Sequence, residues 1–264
     1  MSELTGVRIT EILEIIKASR AISLPLWGKV DGTNLKGDSA ASVVTIIDQE
    51  VEEYLKKEFA QIEPTIDFVG EEYGGNRDAE RFWLIDPIDG TGHYVRGTPF
   101  CTTMVSLIEH GEVTFSVIYH FVTDTMFYAV KGGGAWRNSE KIFVSNRPIA
   151  QSYIVFESNI KKTENMAFYH KLREKCVMIS MVCSGYEHCM VASGQLEGRV
   201  TFDGYGQDYD FAPGTLLIRE AGGTVANIGS TTYDYRKTNY IAANPDVFTS
   251  LTKGETAIFP ILSH

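Results

Sequence analysis

The nine residues Trp83-Leu84-Ile85-Asp86-Pro87-Ile88-Asp89-Gly90-Thr91 constrain this chain more than any other stretch. Phe82 to Ile85 is a short apolar run that reads as a buried strand. It stops at two carboxylates three residues apart, Asp86 and Asp89, with Pro87 between them and Gly90-Thr91 behind. Proline fixes its own φ and drives the preceding residue toward an extended conformation, and glycine permits a sharp turn. Asp86 and Asp89 are therefore expected to converge beyond the strand end. Carboxylates held together repel unless a proton or a cation lies between them, and an oxygen-only ligand set suits Mg²⁺. The exposed amides of Gly90 and Thr91 would form an anion nest beside that cation. A plainer reading is a surface turn with solvated acids, and the company the motif keeps decides between the two.

At 264 residues the chain can bury a sizeable core, as one large domain or as two closely packed halves. Its net charge of -10 argues against nucleic acid as a partner, because phosphate backbones are held by basic surfaces. For a protein acting on a small phosphate ester, the same acidity calls for a cation between protein and substrate. The four cysteines, Cys101, Cys176, Cys183 and Cys189, form no Cys-x-x-Cys pair and no zinc spacing with histidine. Free thiols in a reducing compartment are the expectation. No charged leader followed by an apolar segment is read, and no run is long and apolar enough to span a bilayer, so a cytoplasmic location without a membrane partner is expected.

Ile9, Ile12, Leu13, Ile15 and Ile16 recur at helical spacing, predicting an amphipathic helix from about Gly6 to Leu24 that Pro25 ends or kinks. Asp31 to Ser42 is rich in Gly, Asp, Ser and Asn and reads as a mobile loop carrying Lys36 and Asp38. A second helix is expected from Thr45–Asp48 to Phe59, with Asp48 in or near its first turn, where exposed amides favour a carboxylate. A strand at Thr65 to Val69 leads into Gly70-Glu71-Glu72. After the central motif, Cys101–Ile108, Glu112–Phe121 and Met126–Val130 read as an antiparallel meander. Gly132-Gly133-Gly134 lacks the Gly-Lys-Ser/Thr of a phosphate loop and reads as a tight turn. From about Ala150 strands and helices alternate. Strands are expected at Tyr153–Phe156, Val177–Ser180, Arg199–Phe202, Gly223–Ala226 and Tyr240–Ala242, and helices at Glu164–Glu174, Gly185–Gly194, Asp210–Ala221 and Pro245–Leu251. Residues 1–264 therefore read as a single domain, with 1–147 and 148–264 as its halves.

Four acids share one context, a short apolar strand or a helix start ending at a carboxylate: Glu71, Asp86, Asp89 and Asp210. Asp210 reads as a helix N-cap with Pro213 in the first turn. Glu72 and Asp208 stand beside two of them, and composition alone does not separate them as ligands. Gly70-Glu71-Glu72, then Trp83-x-Ile85-Asp86-Pro87-Ile88-Asp89-Gly90-Thr91, then Tyr209-Asp210-x-Ala212-x-Gly214 before Glu220-Ala221-Gly222-Gly223 resembles the inositol monophosphatase family. The resemblance runs from Lys36 to Asn244. It implies a layered αβαβα sandwich of the α+β class, shared with fructose-1,6-bisphosphatases, and a Mg²⁺-dependent, lithium-sensitive phosphomonoesterase. Two or three Mg²⁺ ions are implied, with Mn²⁺ as a substitute and Ca²⁺ or Li⁺ as inhibitors, in a homodimer.

The resemblance also assigns roles. Glu71, Asp86 and the carbonyl of Ile88 would hold one ion, Asp86 with Asp89 and Asp210 a second, and a third would lie near Glu71. Two cations about 4 Å apart can clamp the attacking and leaving oxygens of an in-line displacement. Thr91, bonded to Asp48, would orient the water, with Glu71 assisting its activation. Gly90 and Thr91 amides would bind phosphate, and Lys36 matches a lysine of a mobile loop. Asp89, Cys183, Ser184, Asp203 and Asp210 would line the alcohol pocket. Cys183 also reads as a small apolar filler, and His93, His110, His120 and His188 as surface or core residues.

The chain departs from the pattern in several places. Gly92-His93-Tyr94 replaces a usual Thr-Asn-Phe, Cys183-Ser184-Gly185 a Gly-Ser-Ala, Asp203 a Glu, and Tyr209 a Trp. Tyr209-Asp210-Phe211 and Tyr186 lean toward a histidinol-phosphate branch. The expected substrate is an inositol monophosphate or similar polyol phosphate. Histidinol phosphate, fructose-1,6-bisphosphate and 3′-phosphoadenosine 5′-phosphate follow as alternatives. A metal- or phosphate-binding protein without turnover is the reading from a different class.

Overall fold

The computed structural model describes residues 6–29, 34–35, 43–44 and 46–262. The expected first helix is divided into α1 (Gly6–Ala18) and α2 (Arg20–Ser23). Ser19 sits at the break and its hydroxyl donates to the Ile16 carbonyl at 2.6 Å, the local backbone competition that disfavours serine inside helices. Pro25 lies in a single 3₁₀ turn, Leu24–Leu26. β1 (Asn34–Leu35), within the stretch read as a loop, pairs antiparallel with β2 (Val43–Val44), just past its end. Lys36 lies outside the described residues. Then α3 (Ile46–Ile62) buries Ile47, Val51, Leu55 and Phe59 on one face, as i, i+4 spacing requires.

The first sheet follows. It contains β3 (Asp67–Gly70), β4 (Arg81–Asp89), β5 (Thr102–Glu109), β6 (Glu112–His120), β7 (Thr125–Val130), β8 (Gly134–Arg137) and β9 (Glu140–Lys141), in chain order, with the short α4 (Thr91–Arg96) between β4 and β5. The expected meander is present, preceded by a parallel β3–β4 pair and extended by two strands. Gly132-Gly133-Gly134 turns between β7 and β8, and the amides of Gly132 and Gly134 donate to the two oxygens of Glu220 at 2.8 and 2.9 Å. This nest of amides holds the chain's own carboxylate.

The second half alternates as expected through β10 (Tyr153–Glu157), α5 (Thr163–Arg173), β11 (Val177–Ile179), α6 (Ser184–Ala192), β12 (Gly198–Thr201), α7 (Asp208–Glu220), β13 (Thr224–Asn227), β14 (Tyr240–Ala243) and α8 (Pro245–Thr252). Its sheet is ordered β11-β10-β12-β14-β13, parallel around β10 and antiparallel around β14.

Three apolar clusters define the layers. Ile12 and Ile16 of α1 and the inner face of α3 pack with Trp83, Ile85, Val105 and Val117 on one face of the first sheet. The opposite face, with Leu84, Met104 and Ile118, meets α6 and α7, which also pack on Val155, Val225 and Ala242 of the second sheet. Leu172 of α5 and Val247, Phe248 and Leu251 of α8 cover that sheet's far face. The result is the αβαβα order, each large apolar side chain worth about 1.5–3 kcal/mol on full burial.

Two expectations need correction. The strand at the motif does not end before the carboxylates: β4 runs through Asp89, with Asp86 opposite Met104 and Asp89 opposite Thr102. Three steps on β4 thus face two on β5. The extra residue forms a bulge between Asp86 and Asp89, a stretch that includes Pro87, which has no N–H for the ladder. Asp210 is not the N-cap of α7. Gln207 is, and Asp210 sits at the third helical position, accepting the Gln207 N–H at 2.5 Å in a reciprocal capping box. Pro213 consequently lies inside the helix rather than in its first turn.

Candidate active site

The bulge on β4 delivers both motif carboxylates to one side. Asp86 is 2 % exposed and Asp89 6 % exposed, and α7 brings Asp210 to them. One ligand oxygen from each of the three carboxylates lies within 4.8 Å of the others. Glu71 opens onto the same cavity, as do the Ile88, Gly90 and Thr91 residues that follow the strand. Asp86 is pushed well up from the usual carboxylate range by burial, then by the charges of Glu71, Asp210, Asp89 and Asp48. Asp210 is pushed up likewise by burial and then by Asp89, against the Gln207 amide that favours its anion. Oδ1 of Asp86 is buried with no hydrogen-bond partner. A buried carboxylate oxygen left in this way is costly unless an ion or proton completes it.

Asp89 is held from the other half of the chain. Its Oδ1 accepts the Ser184 N–H at 3.1 Å, and its Oδ2 accepts the Gly185 N–H at 2.7 Å, the Cys183 thiol at 3.1 Å and the Thr102 hydroxyl at 3.2 Å. The start of α6 therefore binds a motif carboxylate, which fits the favourable meeting of an anion and a helix N-terminus. Cys183 is both the buried filler and a donor to Asp89, and burial followed by the Asp89 charge pushes its thiol well up. The Ser184 hydroxyl donates to the Asp210 carbonyl at 2.8 Å, tying α6 to α7.

Gly90 takes a left-handed φ of 81°, and a β-carbon there would lie 2.4 Å from the Phe100 carbonyl oxygen. Only glycine meets both demands. The turn starts α4, and the Thr91 hydroxyl donates back to the Ile88 carbonyl at 2.9 Å. Asp48 is buried in the first turn of α3, and its charge contributes to raising Asp86.

Other expectations fall elsewhere. Asp203 is not on the cavity wall. Its carboxylate is bonded by Lys162 Nζ, at 2.9 and 2.7 Å from the two oxygens, and by the Asn165 amide at 2.7 Å. Asp208 forms an ion pair with Arg77 and lies off the wall as well, which separates it from Asp210 as composition could not. His93 lies on the wall, its Nδ1 bonded with Thr98 Oγ1 and its Nε2 with the Met181 carbonyl, both at 2.7 Å.

Sequence reasoning missed two groups. Glu52 of α3 accepts the amides of Glu72 and Tyr73 at 2.8 and 3.0 Å, fixing the chain just after Glu71. Its carboxylate occupies the place of a Gly70 side chain: a β-carbon there would fall 1.9 Å from Oε1. The signal was available, since Asp48, Glu52, Leu55 and Phe59 share one helical face. The second group is Arg199, 1 % exposed at the cavity floor and paired with Glu187 and Glu157. Its Nε donates to Tyr240 Oη at 3.0 Å, and Tyr240 bonds His188 Nε2 at 2.8 Å. His188 Nδ1 reaches the Ser184 carbonyl at 2.6 Å.

Burial, then the Arg199 charge, holds His188 well below the usual histidine pKa. The unfolded chain then takes up the proton first, so this histidine's contribution is intact above pH ~6.5 and is lost as pH falls below it. The thermal midpoint should drop between pH 7.5 and 5.5, and drop less steeply in His188→Gln. Parallel slopes in the two proteins would remove His188 from the account.

The model of the inositol monophosphatase family matches residues 9–257. The chain belongs to the inositol monophosphatase family. Its similarity to mouse inositol monophosphatase 1 is 29 % identity over 236 residues, 84 % of each chain. A Thermotoga maritima fructose-1,6-bisphosphatase/inositol-1-monophosphatase is 28 % identical over 226 residues, 83 % of this chain and 84 % of its own. Among solved structures, a Thermotoga maritima IMPase superposes with a TM-score of 0.81 at 25 % identity, over 92 % of this chain and 94 % of its own. As a member of the inositol monophosphatase family the chain is a phosphatase of the inositol-phosphate type, built on that fold. Among the described residues, no helix is long and apolar enough to cross a membrane.

Proposed function

We propose that the protein hydrolyses small phosphate monoesters in a Mg²⁺-dependent reaction, with polyol phosphates such as inositol monophosphate in its range. The observation that carries this reading is the convergence of Asp86, Asp89 and Asp210, with an orphaned Asp86 oxygen among them. An oxygen-only, buried and mutually repelling donor set suits a hard divalent cation. Glu71, Asp86 and the Ile88 carbonyl would hold one ion, Asp86, Asp89 and Asp210 a second, and Glu71 would share a third. Bound there, Mg²⁺ supplies Lewis-acid charge for the phosphoryl oxygens and acidifies water.

The remaining work falls to the chain. Gly90 and Thr91 amides bind phosphate oxygens at the start of α4. The Thr91 proton goes to Ile88, which leaves the hydroxyl oxygen as an acceptor for the attacking water. Asp48 and Glu71 share in positioning and activating that water. The water oxygen bonds to phosphorus as the ester P–O bond breaks, and the alcohol departs with a proton. Phosphoryl transfer needs position and charge more than a covalent nucleophile, in keeping with thiols that are buried in Cys101, Cys176, Cys183 and Cys189. A cytoplasmic homodimer belongs to the same reading.

The test is phosphate release from a panel of monoesters with Mg²⁺, with EDTA, and after Mg²⁺ is restored. Release should vanish with EDTA and return with the ion. At a hundredfold excess over its dissociation constant, Mg²⁺ should also stabilise the fold by about 2.7 kcal/mol. A chain that binds Mg²⁺ and releases no phosphate from any ester is a binding protein.

A further inference from the structure

The cavity over the carboxylates has a volume of about 1270 Å³, well beyond the needs of a phosphoryl group and its cations. Its lining includes Phe156, Tyr169, Met178 and Ile179 alongside the polar Ser158, Lys161 and Ser180. Around the rim stand three large apolar side chains that are left in solvent: Tyr205 at 77 %, Val182 at 68 % and Ile160 at 48 % exposure. Isolated exposed apolar residues are ordinary, but several grouped around one cavity mark a ligand surface.

Val182 is held in place at a cost. Its φ is 55°, a region that β-branched residues avoid. The Met181 N–H donates to Glu187 Oε1 at 2.6 Å and the Met181 carbonyl bonds His93 Nε2 at 2.7 Å, while the Cys183 thiol donates to Asp89. Both neighbours are thus fixed and the isopropyl group is turned to the cavity mouth. Two acids near the cavity are already engaged, while the Ser158 hydroxyl on its wall is buried without a partner. Asp203 is bonded to Lys162 and Asn165, and Glu157 is paired with Arg199.

We propose that the alcohol half of the preferred substrate carries an aromatic ring, seated on Tyr205 against the Ile160 and Val182 side chains. This rests on the phosphomonoesterase reading and narrows its substrate class. The ring would bury rim surface now in water and stack on the tyrosine face, while the phosphate stays at the carboxylates.

The test uses esters with leaving alcohols of matched acidity, propyl phosphate and 3-phenylpropyl phosphate, with the corresponding phosphonates as ligands that cannot turn over, all in Mg²⁺. The phenyl group should lower KM, and the phosphonate Kd, about tenfold. Tyr205→Ala should shrink that ratio below about threefold and Tyr205→Phe should keep it. Equal KM and Kd with and without the ring overturn the proposal, as does a ratio that Tyr205→Ala leaves unchanged. A tenfold phosphonate ratio without phosphate release supports the ring site and counts against hydrolysis alone.

Discussion

Asp86→Asn is expected to lower phosphate release at least ~10³-fold, a loss of about 4 kcal/mol of transition-state stabilisation, and to raise the thermal midpoint of the metal-free protein. The two effects share one cause. Asp86 is assigned to both cations, so a neutral amide weakens each at once. Without ions the same carboxylate is buried among Glu71, Asp89, Asp210 and Asp48, which push its proton affinity well up. An amide there removes a charge from that cluster and offers N–H groups to neighbouring acceptors. A midpoint several degrees higher in EDTA is the outcome, as is common when a strained functional group is neutralised. The choice of Asp86 matters. Asp89→Asn would turn its NH₂ toward either the Ser184 or the Gly185 amide, each of which donates to a different Asp89 oxygen, and would damage the fold as well as the chemistry. If Asp86→Asn lowers the midpoint in EDTA, like-charge crowding is not the dominant force at this position.

Arg199→Met should destabilise the protein by about 3–5 kcal/mol, the largest structural effect expected of one surface-remote change. The guanidinium is buried between Glu187 and Glu157 and also donates to Tyr240 and to Thr201. Burial already pushes Glu187 up against the opposing pull of Arg199. With the arginine gone, that carboxylate is left beside Glu157 without its cation. Urea unfolding gives the measure, and adding Glu187→Gln to the variant should recover part of the loss. A cost under about 1 kcal/mol would place this triad with weak surface pairs.

The sequence made the chemistry more legible than the geometry that supports it. Asp86 and Asp89 could be picked out because they close an apolar run, with the spacing around Pro87 and Gly90 signalling convergence, and Asp210 because Tyr209-Asp210-x-Ala212-x-Gly214 resembles the family pattern. The bulge could not be read, because it depends on how β4 registers against β5. Gln207 was passed over as a cap because Asp210 is the stronger capping residue by type, and the choice turned on a reciprocal bond that spans both. Arg199 reads as one more charged residue in a strand, and nothing local tells that Glu157 and Glu187, 42 and 12 residues away, enclose it. Asp203 stands differently. Its position in the chain fits a pocket residue, while Lys162 and Asn165, on the loop before α5 and in its first turn, draw the side chain away.

The grip of α6 on Asp89 has a further consequence. Residues 83–91 carry the motif, yet one of its carboxylates is oriented by amides about a hundred positions later. A fragment ending near Arg147 would own most of the acidic side chains and still lack the scaffold that aims them. Neither portion, grafted onto another protein, would bring the clustered carboxylates with it, since that arrangement emerges only once both halves of the polypeptide have closed upon each other.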